Sequence, residues 1–239
     1  MTIEERLLLL KDKPSINRDE LYQLIRQQHP NYKDASLRWV IYGLVKKGLV
    51  SKINHNQYLI GRANIFRQKN SSDQRNRIVD YLNKKYPNIR IAVYESTLLN
   101  EWVNHQIARN LIFVETEKYF MNDVFRSIYE KFAGKAILNP NKEDLNMYND
   151  ELVIVKPLAS QAPINQKTRE IKIEKLIVDL YTKDLINEFI SEDEKEDVIQ
   201  DIFKKYLVNQ KTIFAYAKRR NNTDLLKKIL SSYELGSSS

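Results

Sequence analysis

Residues 34–60 read DASLRWVIYGLVKKGLVSKINHNQYLI, and this stretch decides the N-terminal fold. Leu37, Val40, Ile41, Leu44 and Val45 recur at i, i+3, i+4, i+7 and i+8, the period of an amphipathic helix. Asp34 is placed as its N-cap. Gly48 is placed as its C-cap, because glycine accepts the left-handed conformation in which helices commonly end. Two β-type runs follow, 49–53 and 57–60, joined by the turn Asn54-His55-Asn56.

Working outward, the spacing predicts a first helix over 3–11, stopped by Pro14. Asn17 with Glu20 three residues on forms a capping-box start for a second helix, which carries Leu21, Leu24 and Ile25 and stops at Pro30. Three helices and a hairpin within some sixty residues is the winged helix-turn-helix order. The charge is placed to match. Residues 1–70 hold 13 Lys/Arg against 6 Asp/Glu, a surplus of +7, and the rest hold 26 against 25, together the +8 of the chain. A basic module on a balanced body is the footprint of a polyanion-binding module.

With the apolar stripe turned inward, Ala35, Ser36, Trp39, Tyr42, Gly43 and Lys46 face out. Double-stranded DNA is the expected partner. Ser36, Arg38, Trp39 and Tyr42 are predicted to meet base edges and phosphates in the major groove. Lys46 and Lys47 would add phosphate contacts, and Lys52 and His55 on the wing would reach the backbone or the minor groove. The same face also suits a protein partner, and Trp39 fits either a DNA contact or packing against a partner or the body.

The chain divides into a DNA-binding domain at 1–62, a linker at 63–74, a body at 75–235 and a flexible tail at 236–239. The body alternates: a helix over 73–85, β-runs at 89–94 and 111–115, and a helical stretch at 97–102 between them. A helix over 120–132 and short strands at 136–138 and 152–155 follow, then a loop at 157–166. Four helical stripes complete it, led by Ile173, Val198, Ile213 and Leu225. The fold class is therefore α/β (α+β): a winged helix-turn-helix followed by a small mixed α/β domain with a helical C-terminal part.

Composition excludes several classes. There is no cysteine, hence no disulfide, thiolate metal site or cysteine nucleophile. The five glycines are too scattered to cradle a phosphate. His29, His55 and His105 show no metal-ligand spacing, so no metal and no cofactor are expected. No apolar run nears the roughly 18–20 residues that span a bilayer, and Glu4 and Glu5 stand where a signal peptide needs basic residues, which points to a cytoplasmic protein without a membrane partner.

Catalytic residues are not expected. Ser96 reads as a strand-to-helix cap and Asp179 as a structural hydrogen-bonding group. The sharpest enzymatic alternative is a metal-dependent nuclease with Glu95, Glu115, Glu117 and Lys118 gathered at neighbouring strand ends. Its spacing is not met, since Lys118 follows Glu117 directly and Glu115 by three. A ligand-sensing repressor is a further alternative. Lys218, Arg219 and Arg220 either complement a helix C-terminus or form a second basic patch for phosphate or an acidic partner.

The run from Asp34 to Val50, with the Gln57-Tyr58-Leu59-Ile60 strand behind it, resembles the winged-helix module of AbiEi-type proteins. The body, with its 173–180 helix leading into a helical tail, is similar as well. These are antitoxins and transcriptional repressors of type IV toxin–antitoxin, abortive-infection systems. The resemblance implies a repressor of its own operon, a body that acts in antitoxicity, and a nucleotidyltransferase-like toxin as partner.

Overall fold

The computed structural model describes residues 2–10, 15–53, 55–61, 64–69, 71–148 and 151–224. The expected stop at Pro14, the stripe of Leu225, Leu226, Ile229 and Leu230, and the tail at 236–239 lie outside the described residues. The fold is mixed α/β with two sheets. Two compact units divide it, one built from Met1–Phe66 with Ile202–Gln210, the other from Arg67–Asp201 with Lys211–Leu226.

In the first unit, α1 (Ile3–Leu9) and α2 (Arg18–Gln28) each start in a capping box, Thr2 with Glu5 and Asn17 with Glu20. The strand β1 (Ile16–Asn17), too short for any periodicity to reveal, lies between them. Next comes α3 (Asp34–Lys46), whose N-cap is Lys33 rather than Asp34. Asp34 instead sits in the first turn, where its charge suits the helix dipole, and pairs with Arg26 at 3.0 Å. Gly48 ends the helix at φ +72°, with Gly48 and Leu49 N–H returning to Val45 and Leu44 carbonyls. The strands β2 (Val50–Lys52) and β3 (Gln57–Ile60) complete an antiparallel sheet of order β1-β3-β2. Leu21, Ile25, Leu37, Ile41 and Leu44 form its core with Ile16, Val50 and Tyr58. From the distant 202–210 segment, Tyr206 bridges to Asn64 and packs edge-on against Phe66. The N-terminal unit thus includes a piece of chain that sequence reading assigned to the body.

The second unit opens with α4 (Asp73–Lys85), capped by Ser72. The expected linker therefore contains the start of this unit. A four-stranded sheet follows, from β4 (Ile91–Glu95), β5 (Leu111–Thr116), β6 (Ala136–Leu138) and β7 (Leu152–Pro157), in the order β4-β5-β7-β6. The β4–β5 pair is antiparallel, and β5–β7 and β7–β6 are parallel. A 3-10 helix, Ser96–Glu101, stands where helical character was expected after β4. Between β5 and β6 runs α5 (Met121–Lys131), and between β6 and β7 the short α6 (Lys142–Asn146). Then come α7 (Ile173–Asp179), a 3-10 turn at Leu185–Phe189, α8 (Glu192–Lys205) and α9 (Gln210–Arg219).

Side chains alternate across this sheet. One face, with Ile91, Val93, Ile112, Val114, Val153 and Val155, packs on Ile78 and Leu82 of α4 and Val124 and Ile128 of α5. The other face carries Tyr94, Phe113, Glu115, Ile154 and Lys156, and there the second site lies. Arg169, fully buried at φ +58°, pins the preceding loop by donating to the carbonyls of Tyr86 and Ile89 and to Asn83. Among the described residues no helix is long and apolar enough to cross a membrane.

Candidate functional site

In the N-terminal unit, Arg38, Ile41, Tyr42 and Val45 fall at i, i+3, i+4 and i+7 on α3, so they form one stripe. That stripe is one wall of a groove of about 460 Å³. The opposite wall is the β2–β3 hairpin, through Lys52, His55 and Tyr58, and the start of α2 adds Arg18 and Tyr22. The hairpin is held against α2 by Arg18 N–H donating to the Asn56 carbonyl at 2.7 Å. Tyr22 and Tyr58 are buried, whereas Tyr42 is 60% exposed. Burial pushes the Tyr58 hydroxyl pKa up, so its phenol stays neutral at physiological pH. The Arg18 and Arg26 guanidinium carbons lie 5.9 and 6.0 Å from the Tyr22 ring centre. Among the described residues no carboxylate lines this groove.

Four of the residues expected to touch DNA therefore share one concavity: Arg38, Tyr42, Lys52 and His55. Ser36, Trp39 and Lys46 lie beside it on the outer face of α3, all exposed. Trp39 is 73% exposed and meets Tyr42 edge-on at 5.8 Å, which joins the two faces. Lys47 points elsewhere, pairing with Glu4 of α1 at 3.1 Å. Sequence reading missed Arg18 and Tyr22. Their signal was position: the turn after Asn17 starts a helix whose first residues face the hairpin.

In the second unit, the polar face of the sheet holds a closed ring of alternating charges. Lys175 Nζ lies 2.9 Å from the Glu115 carboxylate and 2.5 Å from Asp179. Arg220 joins Asp179 at 3.6 Å to Asp184 at 3.3 Å, and Lys156 joins Asp184 at 2.5 Å back to Glu115 at 3.2 Å. Three acids and three bases thus neutralise one another, and all but Arg220 are nearly fully buried. Tyr94 donates to Glu115 at 2.5 Å and Tyr216 to Asp179 at 3.0 Å. Burial raises the pKa of both phenols, helped by the neighbouring acids, so they remain donors. Burial also works against the charge on Lys175, yet Asp179 and Glu115 hold its pKa well above the ordinary lysine value. Against burial, Lys175 and Lys156 keep Glu115 low, and Lys156 and Lys175 keep Asp184 low.

The ring replaces the acidic cluster that the sequence suggested. Glu95 pairs in register with Ile112, an odd number of residues from Glu115, so their side chains leave opposite faces of the sheet. Glu95 accepts from Ser72 N–H at 3.1 Å and from Asn110 at 2.6 Å. Glu117 and Lys118 lie past the end of β5. Asp179 does bond structurally, but as a member of the ring. The expected patch of Lys218, Arg219 and Arg220 divides: Arg220 serves the ring, Arg219 donates to Gln161 at 3.2 Å, and Lys218 and Arg219 stay exposed. Lys156, Lys175, Asp184, Tyr94 and Tyr216 were not singled out from sequence. Carboxylate oxygens of Glu115, Asp179 and Asp184 come within 4.8 Å of one another, as metal ligands would, but a protonated base bridges each pair.

The chain belongs to DUF6577, a family of unknown function that matches residues 36–235. The matched span takes in α3 from Ser36, the hairpin and every member of the ring. No curated protein matches the chain.

Proposed function

We propose that this protein is a winged-helix DNA-binding transcriptional regulator, not an enzyme, acting in the cytoplasm. The observation that carries the reading is the groove, in which Arg38, Tyr42, Lys52 and His55 converge with Arg18 and, among the described residues, no acid lines it. The +7 surplus of residues 1–70 supplies the attraction to phosphate. In this reading α3 is the recognition helix and the hairpin is the wing. Ser36 and Trp39 meet the DNA beside the groove, and Lys46 adds a phosphate contact.

The resemblance to AbiEi-type proteins carries the reading one step further. The protein is then an antitoxin that represses its own operon and counters a nucleotidyltransferase-like toxin. The body supplies that second activity without contacting DNA, its segment 71–239 being nearly balanced at 26 Lys/Arg against 25 Asp/Glu.

The test is a titration of the full chain against the DNA upstream of its own gene at several salt concentrations. Log affinity is expected to fall linearly with log salt, with a slope of about −0.9 per phosphate neutralised. A flat dependence, or no binding at low salt, overturns the reading. Co-expression with the product of the neighbouring gene tests the antitoxin role. Relief of that product's toxicity supports it, and unrelieved toxicity with intact DNA binding leaves a plain regulator.

A further inference from the structure

We infer that the groove between α3 and the β2–β3 hairpin receives an unpaired nucleobase, so that the protein prefers DNA carrying an extrahelical nucleotide to a continuous duplex. The inference rests on the nucleic-acid reading above and adds the form of nucleic acid. Contact with a duplex backbone needs only cations on a convex or flat surface, because the phosphates lie on the outside of the helix. This groove is more than that. Its volume of about 460 Å³ lies within the range of roughly 300–1,000 Å³ typical of small-molecule sites.

The lining suits a base with its phosphates. Tyr42 and His55 stand exposed at the rim and offer their rings, above a floor closed by Tyr22 and Tyr58, both more than nine-tenths buried. Aromatic rings bind unstacked bases by their π-faces, whichever base is offered, and a paired base in a duplex has no free face to give. Arg18, Arg38 and Lys52 stand around the rings as cations for the flanking phosphates. Arg18 can add a hydrogen bond to its charge. Its Nε has no hydrogen-bond partner among the described residues, so that N–H is left to donate to a ligand acceptor.

The experiment measures binding of the full chain to three fluorescent probes of one sequence at one salt concentration. They are a continuous duplex, the duplex with a single bulged thymidine, and the duplex with an abasic nucleotide at the bulge. The thymidine bulge is expected to bind at least about fivefold tighter than either of the others, the lower end of what stacking one base supplies. Tyr42 is exposed, so Tyr42→Ala leaves the core intact and is expected to erase that preference, whereas Tyr42→Phe keeps it. Equal, salt-dependent affinity for all three probes overturns the pocket and leaves DNA binding standing. An abasic bulge bound as well as the thymidine bulge also overturns it, because the protein then reads a flexible backbone. Failure to bind any probe removes the nucleic-acid reading itself, and this inference with it.

Discussion

Glu115 and Lys156 stand directly opposite each other on the parallel strands β5 and β7, and their side chains meet at 3.2 Å within a closed ring of six charges. The pairing explains why two strands that are otherwise apolar each place a charge at their fifth position. Alone, either charge would be prohibitively costly at such depth. Together with Lys175, Asp179, Asp184 and Arg220 they cancel, and the ring ties the sheet to α7 and to the end of α9. Lys156 and Lys175 also lie 5.0 Å from the Phe113 and Tyr94 ring centres, so the aromatic pair beneath them adds to their stabilisation.

A ring of this kind fails asymmetrically. Lys175→Met leaves Glu115 and Asp179 buried without their shared base, and is expected to destabilise the second unit by about 3–5 kcal/mol. Tyr94→Phe removes one hydrogen bond to Glu115 and should cost less, about 1–3 kcal/mol. Urea denaturation followed by Trp102 fluorescence in a Trp39→Phe background reads this unit selectively. A Lys175→Met effect no larger than that of Tyr94→Phe would show that the ring does not hold this unit together.

The ring also sets an acid limit. Glu115 and Asp184 have folded pKa values below their unfolded ones, so the stability they contribute is complete above the ordinary carboxylate range near about 4. It is lost as pH falls from there towards their folded values. Asp179 runs the other way. Burial raises its pKa against Lys175, so its contribution weakens as pH rises through the window between its unfolded and folded values. Two members against one predict a net loss of stability below about pH 4. Urea midpoints measured across pH should show it, and Asp184→Asn should flatten the dependence. A midpoint that holds or rises as pH falls below the carboxylate range would contradict the assignment.

How much of this was legible in the sequence depends on the range of the interaction that fixes each feature. Helix α2 follows from its Asn17–Glu20 capping box and α3 from its 3.6-residue period despite the misplaced cap, and α4 was placed at Asp73–Lys85, where it lies. Strand β1 was invisible because two residues carry no period, and it exists only by pairing Ile16 and Asn17 with Tyr58 and Gln57. Half of the residues expected to touch DNA fall in one groove, because the helix face and the hairpin turn are both local features. The ring was illegible for the opposite reason. It joins β5, β7, α7, Asp184 and Arg220, and nothing local says that those segments meet. One clue stood in the open: Glu115 and Lys156 each follow four apolar residues in a strand, LIFVET and LVIVKP. Read as ordinary polar strand ends, they gave no hint of each other.

Lys47 is held by Glu4 at 3.1 Å on the surface of the N-terminal unit. Both side chains are largely exposed, so the pair contributes little to stability. Glu4→Gln therefore should leave folding unchanged while freeing one cation and removing one negative charge from the basic N-terminal unit. DNA affinity is expected to rise by roughly two- to fivefold at low salt, with the gain shrinking as salt is added. Anisotropy titrations of both proteins at two salt concentrations check it. Unchanged or weaker binding would place Lys47 away from the DNA.

Position and readout should separate on α3. Lys46→Ala is expected to weaken binding to all sequences alike, as the loss of a phosphate contact does. Ser36→Ala or Arg38→Ala should alter the preference among sequences, by roughly 1–3 kcal/mol for a good base contact. Competition among randomised duplexes, sequenced after selection, distinguishes the two effects. If Lys46→Ala shifts the preferred sequence and the other two do not, the helix lies in the groove in another orientation.

Catalysis by the second unit is the remaining question, since Glu115, Asp179 and Asp184 lie as close together as metal ligands. The bases settle the expectation. A divalent cation entering between these carboxylates would have to displace Lys175, Lys156 and Arg220 into a buried site, each without its counter-ion, and the cost of a single unpaired buried charge is already several kcal/mol. The full chain is therefore expected to cleave neither DNA nor RNA with magnesium or manganese, and manganese should not raise its melting temperature. A metal-dependent rise in melting temperature that Asp184→Asn abolishes would show that an ion does enter the ring. Cleavage lost in Glu117→Gln, a change outside the ring, would instead restore the strand-end cluster of Glu115, Glu117 and Lys118 as the catalytic one.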